Sequence, residues 1–163
     1  MMIEKSCDLL CIGSGGAGIT AAIVASEKGA DVILLSKDHT GYGNTRIIGG
    51  IMAQGDPDTS RQGMGFLRDM VVGGDYLNNQ KLCLILAKEA HNAPILLERF
   101  GGMVRRDSQG KISAEVLLQV GGHTSPRSLI LPSTGPGVGQ GLRYGVARRN
   151  NIRTLEKTIV FDL

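Results

Sequence analysis

Tryptophan is absent, and phenylalanine and tyrosine leave aromatics at 4% of the 163 residues. A chain so poor in rings has no platform for stacking successive bases, which excludes that class of nucleic-acid binding. No apolar run reaches the roughly 18 residues that a membrane-spanning helix needs. Met1 is not followed by a basic stretch and then an apolar one, so no secretory signal is expected. The protein is expected in the cytoplasm, or peripheral on a membrane complex. Cysteine is scarce: Cys7, Cys11 and Cys83, with no C-x-x-C. Cys7 and Cys11 are expected on one strand, facing the same side, as buried small hydrophobes, with neither a metal site nor a disulfide. Neither sign of charge dominates, the net being +3. The cluster Arg143, Arg148, Arg149, Arg153 reads as a solvated helix face rather than a nucleic-acid patch.

Glycine is what the chain has in excess: Gly 24, against an average usage of roughly 7%. No collagen period accompanies it, so the excess belongs to turns and close backbone approaches. The length suits one domain with a real core. The organising stretch runs from Cys7 to Lys37. Cys7 to Ile12 is short, apolar and bounded by glycine, as a buried parallel strand is. Gly13-Ser14-Gly15-Gly16-Ala17-Gly18 then matches G-x-G-x-x-G. Gly13 permits the tight turn, Gly15 lets a pyrophosphate approach the backbone, and Gly18 allows close packing of the helix on the sheet. The helix presents free N–H groups and the positive end of its dipole to phosphates. Ile19, Ala22, Ile23 and Ser26 follow at helical spacing, Gly29 ends the helix, and Asp31 to Leu35 forms a second strand. That strand–turn–helix–strand context makes the motif a dinucleotide site rather than a chance glycine turn. The second strand ends on Ser36-Lys37 instead of the acidic residue that an NAD site uses for the ribose. Ser36 can still hydrogen-bond a ribose. Lys37 suits a 2′-phosphate, as in an NADP site, or a pyrophosphate.

Residues 38–55 read as a long glycine-rich loop, too unpatterned for an ordinary helix or strand. Asn44 and Thr45 lead there into the pair Gly49-Gly50, and loops of this length in compact domains tend to wrap ligands. Asp58 or Thr59 caps a helix carrying Phe66, Leu67, Met70 and Val71, stopped at Gly73-Gly74. Asn78 or Asn79 caps the next, with an apolar face at Leu82, Leu86 and Ala90 and Ile85 beside them. Pro94 opens a piece from Ile95 to Phe100. Met103–Arg106 and Lys111–Val120 are expected to form a hairpin turned at residues 107–110. Residues 121–139 are expected to be irregular, Gln140–Asn150 a basic amphipathic helix, and Asn151–Leu155 and Lys157–Leu163 two short strands. The fold class is α/β: a Rossmann-like domain over 1–163 with a parallel sheet of four or five strands, a helical insertion at about 57–100, and a hairpin and loop at about 103–139. The strands flanking the insertion are expected in one sheet.

With this loop read, three stretches together carry a resemblance: DLLCIGSGGAGITAAIVASEKGADVILLSK, GNTRIIGGIMA and GDYLNNQKLCLILAKEAHNAPILLERFGG. The chain resembles the flavoprotein subunit of succinate dehydrogenase and fumarate reductase, a superfamily that includes L-aspartate oxidase and adenylylsulfate reductase α. PGVGQGLRYGVARRNNIRTLEKTIVFDL is similar to the helix and strand closing the first part of its FAD domain. The resemblance implies FAD rather than NAD(P), since Ser-Lys ends the second strand in this family. It implies that Gly13, Ser14, Gly15, Gly16, Ala17 and Gly18 hold the pyrophosphate, and that Ser36 and Lys37 lie at the adenosine ribose and phosphates. Asn44, Thr45, Gly49 and Gly50 would follow the ribityl chain and flavin edge, with the backbone near Val160 approaching the adenine. Respiratory members carry a flavin-linked histidine just before the residues matching Asn44-Thr45. Gly43 stands there in this sequence, and His39 comes four residues too early, so FAD is expected to be non-covalent. Family members also continue into a cap domain and a second FAD-binding stretch, so a truncated domain is expected, or a second chain supplying the rest.

Reduction of a dicarboxylate needs a cationic clamp and a proton donor. Gly122-His123-Thr124-Ser125-Pro126-Arg127-Ser128 offers such groups on one loop, making His123 and Arg127 the candidate catalytic pair. The plainer reading is a polar surface loop whose histidine caps a turn. His91 reads as a capping or surface residue, and His39 as a loop residue near the adenosine end. The expected function is two-electron transfer between flavin and a small carboxylic or dicarboxylic acid. The alternatives are a non-catalytic FAD-binding remnant, one chain of a split flavoenzyme, or an NADP-binding module. An iron–sulfur electron-transfer subunit is the further expected partner.

Overall fold

The computed structural model describes residues 4–49, 51–54, 64–132 and 134–162. In chain order the regular elements are β1 (Leu9–Ile12), α1 (Gly16–Glu27), β2 (Val32–Leu35), β3 (Ile51–Ala53), α2 (Met64–Gly73), α3 (Gln80–Glu89), α4 (Ala93–Arg99), β4 (Leu117–Leu118), β5 (Ser128–Ile130), α5 (Thr134–Ala147) and β6 (Ile152–Leu155). They divide between two compact units, one of residues 1–49, 99–102 and 133–163, the other of residues 50–98 and 103–132.

The first unit is built on a parallel sheet in the order β1-β2-β6, with Leu9 opposite Val32 and Val32 opposite Ile152. Strand β2 lies in the middle, and all four of its residues, Val-Ile-Leu-Leu, are buried. Its unbroken apolar run is what a strand covered on both faces requires. Strand β1 stands at one side of the sheet, and its Leu10 and Ile12 are about half exposed. Helix α1 buries Ile19, Ala22, Ile23 and Ser26, the stripe read from its spacing. The Asn151 side chain joins the end of α1 to the start of β6: it accepts from Ser26 Oγ (2.6 Å) and donates to the carbonyls of Ser26 (3.0 Å) and Ala30 (2.8 Å). Glu27 receives both Arg99 and Arg149 at the same end.

Helix α5 packs through glycines. A methyl group on Gly141 would lie 2.8 Å from the backbone N and Cα of Gly102, and one on Gly145 2.9 Å from the Phe100 carbonyl oxygen. Those distances are inside van der Waals contact, so only glycine permits this separation.

The second unit carries an antiparallel sheet in the order β3-β5-β4, with Ile51 opposite Ile130 and Leu117 opposite Leu129. Val116, Leu117 and Leu129 form its buried cluster. Phe66, Ala87 and Ala90 form another, with Leu67, Met70 and Ala53 packed against it. Asn79 caps α3, accepting from the N–H groups of Lys81 (3.1 Å) and Leu82 (3.2 Å).

Several sequence expectations are corrected here. β2 and β6, on either side of the insertion, do share one sheet, but that parallel sheet has three strands rather than four or five, and β3, β5 and β4 form a second, antiparallel one. The turn at 107–110 forms, with Gly110 at φ 75° and its N–H on the Asp107 carbonyl, but no strands flank it. The Asp107 carboxylate takes the N–H groups of Gln109 and Lys111, and Arg106 reaches the Gly110 carbonyl, so the segment closes on itself. The partner of β4 is instead β5, inside the stretch expected to be irregular. Helix α5 also begins within that stretch, at Thr134. Lys157–Leu163 is not a strand where described: Lys157 sits at φ 54°, a turn conformation that ends the extended run. On α3 the buried residue is Ala87, with Ala90 buried at its C-cap, while Leu82, Ile85 and Leu86 are exposed. Cys7 lies before β1 rather than on it, half-buried, and the thiol of Cys11 is held above its ordinary pKa by burial and by Cys7. The long loop contains a 3-10 turn, Asn44–Ile47, and strand β3. Asp58 and Thr59 lie outside the described residues.

Candidate functional site

In the first unit the chain leaves β1 through Gly13 at φ 98°, a left-handed conformation that β-carbon-bearing residues avoid. The Gly13 N–H bonds the Leu35 carbonyl at 2.9 Å, fixing the turn at the end of β2. A methyl group on Gly18 would fall inside the van der Waals envelope of the Gly13 carbonyl oxygen. The third glycine of the motif is therefore needed for the turn to fold back on itself. Above the turn the space is open: a methyl on Gly13 would meet nothing within 4 Å, and one on Gly15 only the Thr45 hydroxyl at 3.8 Å.

Gly15 caps α1 in an extended conformation, and its carbonyl accepts from the Ile19 N–H at 3.0 Å. The Gly16 N–H is taken by the Thr45 hydroxyl at 3.0 Å. The N–H groups of Ala17 and Gly18 follow in the first turn, where helix geometry provides no intrahelical acceptor. The Ser14 hydroxyl is buried against that of Ser36 at 2.6 Å, and the Ser36 hydroxyl also donates to the His39 carbonyl at 3.4 Å. Ser36 thus braces the glycine turn. Lys37 beside it is exposed.

Glu156, just after β6, supplies an acidic group to this end of the sheet that sequence reading missed. It accepts from the Thr40 N–H at 2.7 Å and faces His39 Nδ1 at 2.8 Å. The Thr40 backbone bond, then the His39 and Thr40 side chains, depress its pKa to about 2. No local spacing marks Glu156, because its partners are 116 and 117 positions away. Asn44 opens the 3-10 turn and is exposed, Gly49 is exposed, and Val160 is half-buried beyond β6. Gly50 lies outside the described residues. The structure therefore gathers the glycine turn, Ser36 and Thr45 into one constellation by direct bonds.

The second unit holds His123 and Arg127. The Arg127 side chain is wholly buried and forms an ion pair with Asp69, whose own side chain is 5% exposed. Arg127 also donates to Ser125 Oγ at 2.7 Å and lies 3.2 Å from His123 Nδ1. Asp69 accepts from the Thr124 N–H at 2.8 Å and its hydroxyl at 3.1 Å. Burial pushes the Asp69 carboxyl up, but the bonds from Thr124 and Arg127 outweigh it and hold the pKa below its ordinary value. The His123 ring stacks on Phe66, centroids 5.7 Å apart at 29°. Arg127 thus anchors this loop, and of the candidate pair His123, half-buried, is the one that keeps some exposure.

The model of a family described as "FAD binding domain" matches residues 8–163. The chain belongs to that FAD-binding domain family. FAD is its cofactor, and the open, glycine-floored turn fits a pyrophosphate laid against the N-terminus of α1. Among proteins similar to this FAD-binding domain is the 8-methylmenaquinol:fumarate reductase flavoprotein subunit of Wolinella succinogenes, 36% identical over 66% of this chain and 18% of the relative. L-aspartate oxidase of Streptomyces coelicolor is 31% identical over 96% of this chain and 26% of the relative. In the Sdh1 complex of Mycobacterium smegmatis in the apo form, one chain superposes with a TM-score of 0.78 at 28% identity, covering 93% of this chain and 27% of that one. The resemblance read from the sequence is thereby borne out, and so is its α/β FAD-binding fold. The chain spans less than a third of the length of these relatives. Among the described residues no cluster of metal-ligating side chains occurs, and no helix is long and apolar enough to cross a membrane.

Proposed function

We propose that this chain is the FAD-binding part of an oxidoreductase of the fumarate reductase/succinate dehydrogenase type, moving two electrons between flavin and a small carboxylic or dicarboxylic acid. The observation that carries this reading is the glycine turn, open above Gly13 and Gly15 and closed on itself at Gly18. In this reading Gly13, Ser14, Gly15, Gly16, Ala17 and Gly18 hold the pyrophosphate. Ser36 supports that turn, and Lys37 faces the adenosine phosphates or ribose. Asn44, Thr45, Gly49 and Gly50 follow the ribityl chain and flavin, with Val160 toward the adenine. Bound FAD supplies the two-electron chemistry. The cofactor is held without a covalent link, because Gly43 offers no nucleophile and His39 is engaged by Glu156. His123 is the candidate for binding a substrate carboxylate, with Arg127 positioning it.

A second reading is one chain of a split flavoenzyme, whose substrate clamp and electron-transfer subunit come from other polypeptides. The burial of Arg127 on Asp69 favours it, since that guanidinium is committed to the loop's own structure.

The test is the visible spectrum after incubation with excess FAD and desalting. Near-stoichiometric flavin is expected for the native chain, and loss of most of it for Gly18→Ala. Equal retention by Gly18→Ala would overturn the assignment of the turn. Dye reduction with succinate or fumarate then separates the readings: turnover by the loaded chain alone supports the first, and turnover only with an added partner supports the second.

A further inference from the structure

At the C-terminal end of α5 the first unit has an open hollow of about 300 Å³, lined by Arg99, Phe100, Gly145, Arg148 and Arg149. Gly145 makes it possible. A methyl group there would stand 2.9 Å from the Phe100 carbonyl oxygen and 3.2 Å from its Cβ, so any larger residue would push Phe100 away from the helix. The close approach brings Arg99, from a distant stretch of sequence, alongside Arg148 and Arg149. Three of the five lining residues therefore carry a guanidinium.

One carboxylate answers those three charges among the described residues. Glu27 takes Arg99 Nη2 on Oε2 and Arg149 Nη2 on Oε1, which engages both of its oxygens. Arg149 donates Nη1 to the Gly145 carbonyl. Arg148 is exposed and has no carboxylate partner among the described residues. Its guanidinium lies 5.3 Å from the centre of the Tyr144 ring, a contact that orients the group and leaves its N–H edge available. Three positive charges against one negative leave the hollow with a surplus of two.

We propose that this hollow binds a soluble phosphoryl dianion, as inorganic phosphate or a small phosphate ester. A carboxylate has two oxygens, and Glu27 shows that two arginines use up both. A third guanidinium calls for an anion with more acceptors. A phosphoryl group carries three strong acceptor oxygens and a charge of about −1.5 to −2 at neutral pH, which matches the surplus. Arginine is also the side chain whose planar fork fits phosphate with two parallel bonds. The site is distinct from the cofactor turn. That turn precedes α1, whereas Glu27 is the last of its 12 residues, about 18 Å away at about 1.5 Å per residue.

The experiment is isothermal titration calorimetry of the full chain with inorganic phosphate, FAD being present in excess so that the glycine turn is not left open to the probe. The expected result is one saturable phosphate site. Its affinity falls at least tenfold in Arg148→Gln and in Arg99→Gln, and less than twofold in Arg143→Gln, which lies outside the hollow. Acetate binds there at least tenfold more weakly than phosphate. Arg148 makes no ion pair, so its replacement leaves the fold intact, and unchanged far-UV circular dichroism is required of every variant. The inference is overturned if phosphate shows no saturable binding, if Arg148→Gln binds it as the native chain does, or if Arg143→Gln loses as much. Equal affinity for acetate would overturn the phosphoryl class. Binding of phosphatidic acid vesicles without binding of free phosphate would overturn a soluble ligand in favour of a membrane surface.

Discussion

Replacing Asp69 by alanine removes the carboxylate from a guanidinium with no solvent access, and takes the acceptor from two Thr124 bonds. Breaking a buried pair by deleting one partner costs about 3–5 kcal/mol. We place Asp69→Ala at the low end, about 3 kcal/mol, because Ser125 and His123 stay within reach of Arg127. With a urea slope of about 2 kcal/mol per molar, the midpoint should fall by about 1.5 M. Far-UV circular dichroism is the probe, since there is no tryptophan to follow. The double variant Asp69→Leu/Arg127→Met should recover most of the loss, because an apolar pair carries no buried charge. Asp69 also predicts a pH dependence. Its folded pKa lies below its unfolded value of 3.8. Its contribution is therefore fully present above that value and is lost as pH falls through the folded pKa. A midpoint shift under about 0.5 M for Asp69→Ala would refute the view that this pair anchors the loop.

Glu156 titrates the same way in the first unit. Depressed to about 2 from 4.5, it stabilises the fold above pH 4.5 and loses that contribution as pH falls toward 2. Glu156→Gln should flatten the acid limb of a stability–pH profile, and an unchanged limb would remove Glu156 from the account. Gly141→Val should destabilise by at least about 2 kcal/mol, because the added atoms meet the Gly102 backbone rather than a movable side chain; a thermal midpoint within 2 °C of native would count against the close approach. Acid precipitation of the flavin-loaded chain should release all of its FAD to the supernatant, and colour retained on the pellet would refute a non-covalent link.

The sequence was most readable where one local rule decided the outcome. Ile19, Ala22, Ile23 and Ser26 follow the helical period and are the buried positions of α1. Gly13 takes the positive φ that its place after a strand demands. Legibility failed where tertiary contacts overrode local preference. Ser128-Leu129-Ile130 lies among prolines and serines, yet it pairs on both edges, with β3 and β4. Residues 135–141 alternate glycine with other residues and look like loop, but helix α5 begins at Thr134. The two key loops are only half legible. The sequence marks Thr45 for a ligand, but its bond to Gly16, 29 positions away, carries no local signature. It marks Arg127 as a substrate clamp, while the bond to Asp69, 58 positions earlier, follows from no spacing argument.

Helix α5 carries Gly135, Gly137, Gly139, Gly141 and Gly145 in fourteen residues. At about 1 kcal/mol of helix propensity lost per glycine relative to alanine, the segment has no reason to coil in isolation. Its order is borrowed from the backbone it lies against: Gly41, Arg46, Phe100 and the Gly101-Gly102 pair. All of these precede it in the chain. During synthesis every backbone segment that α5 packs against in this way is therefore made before α5 itself.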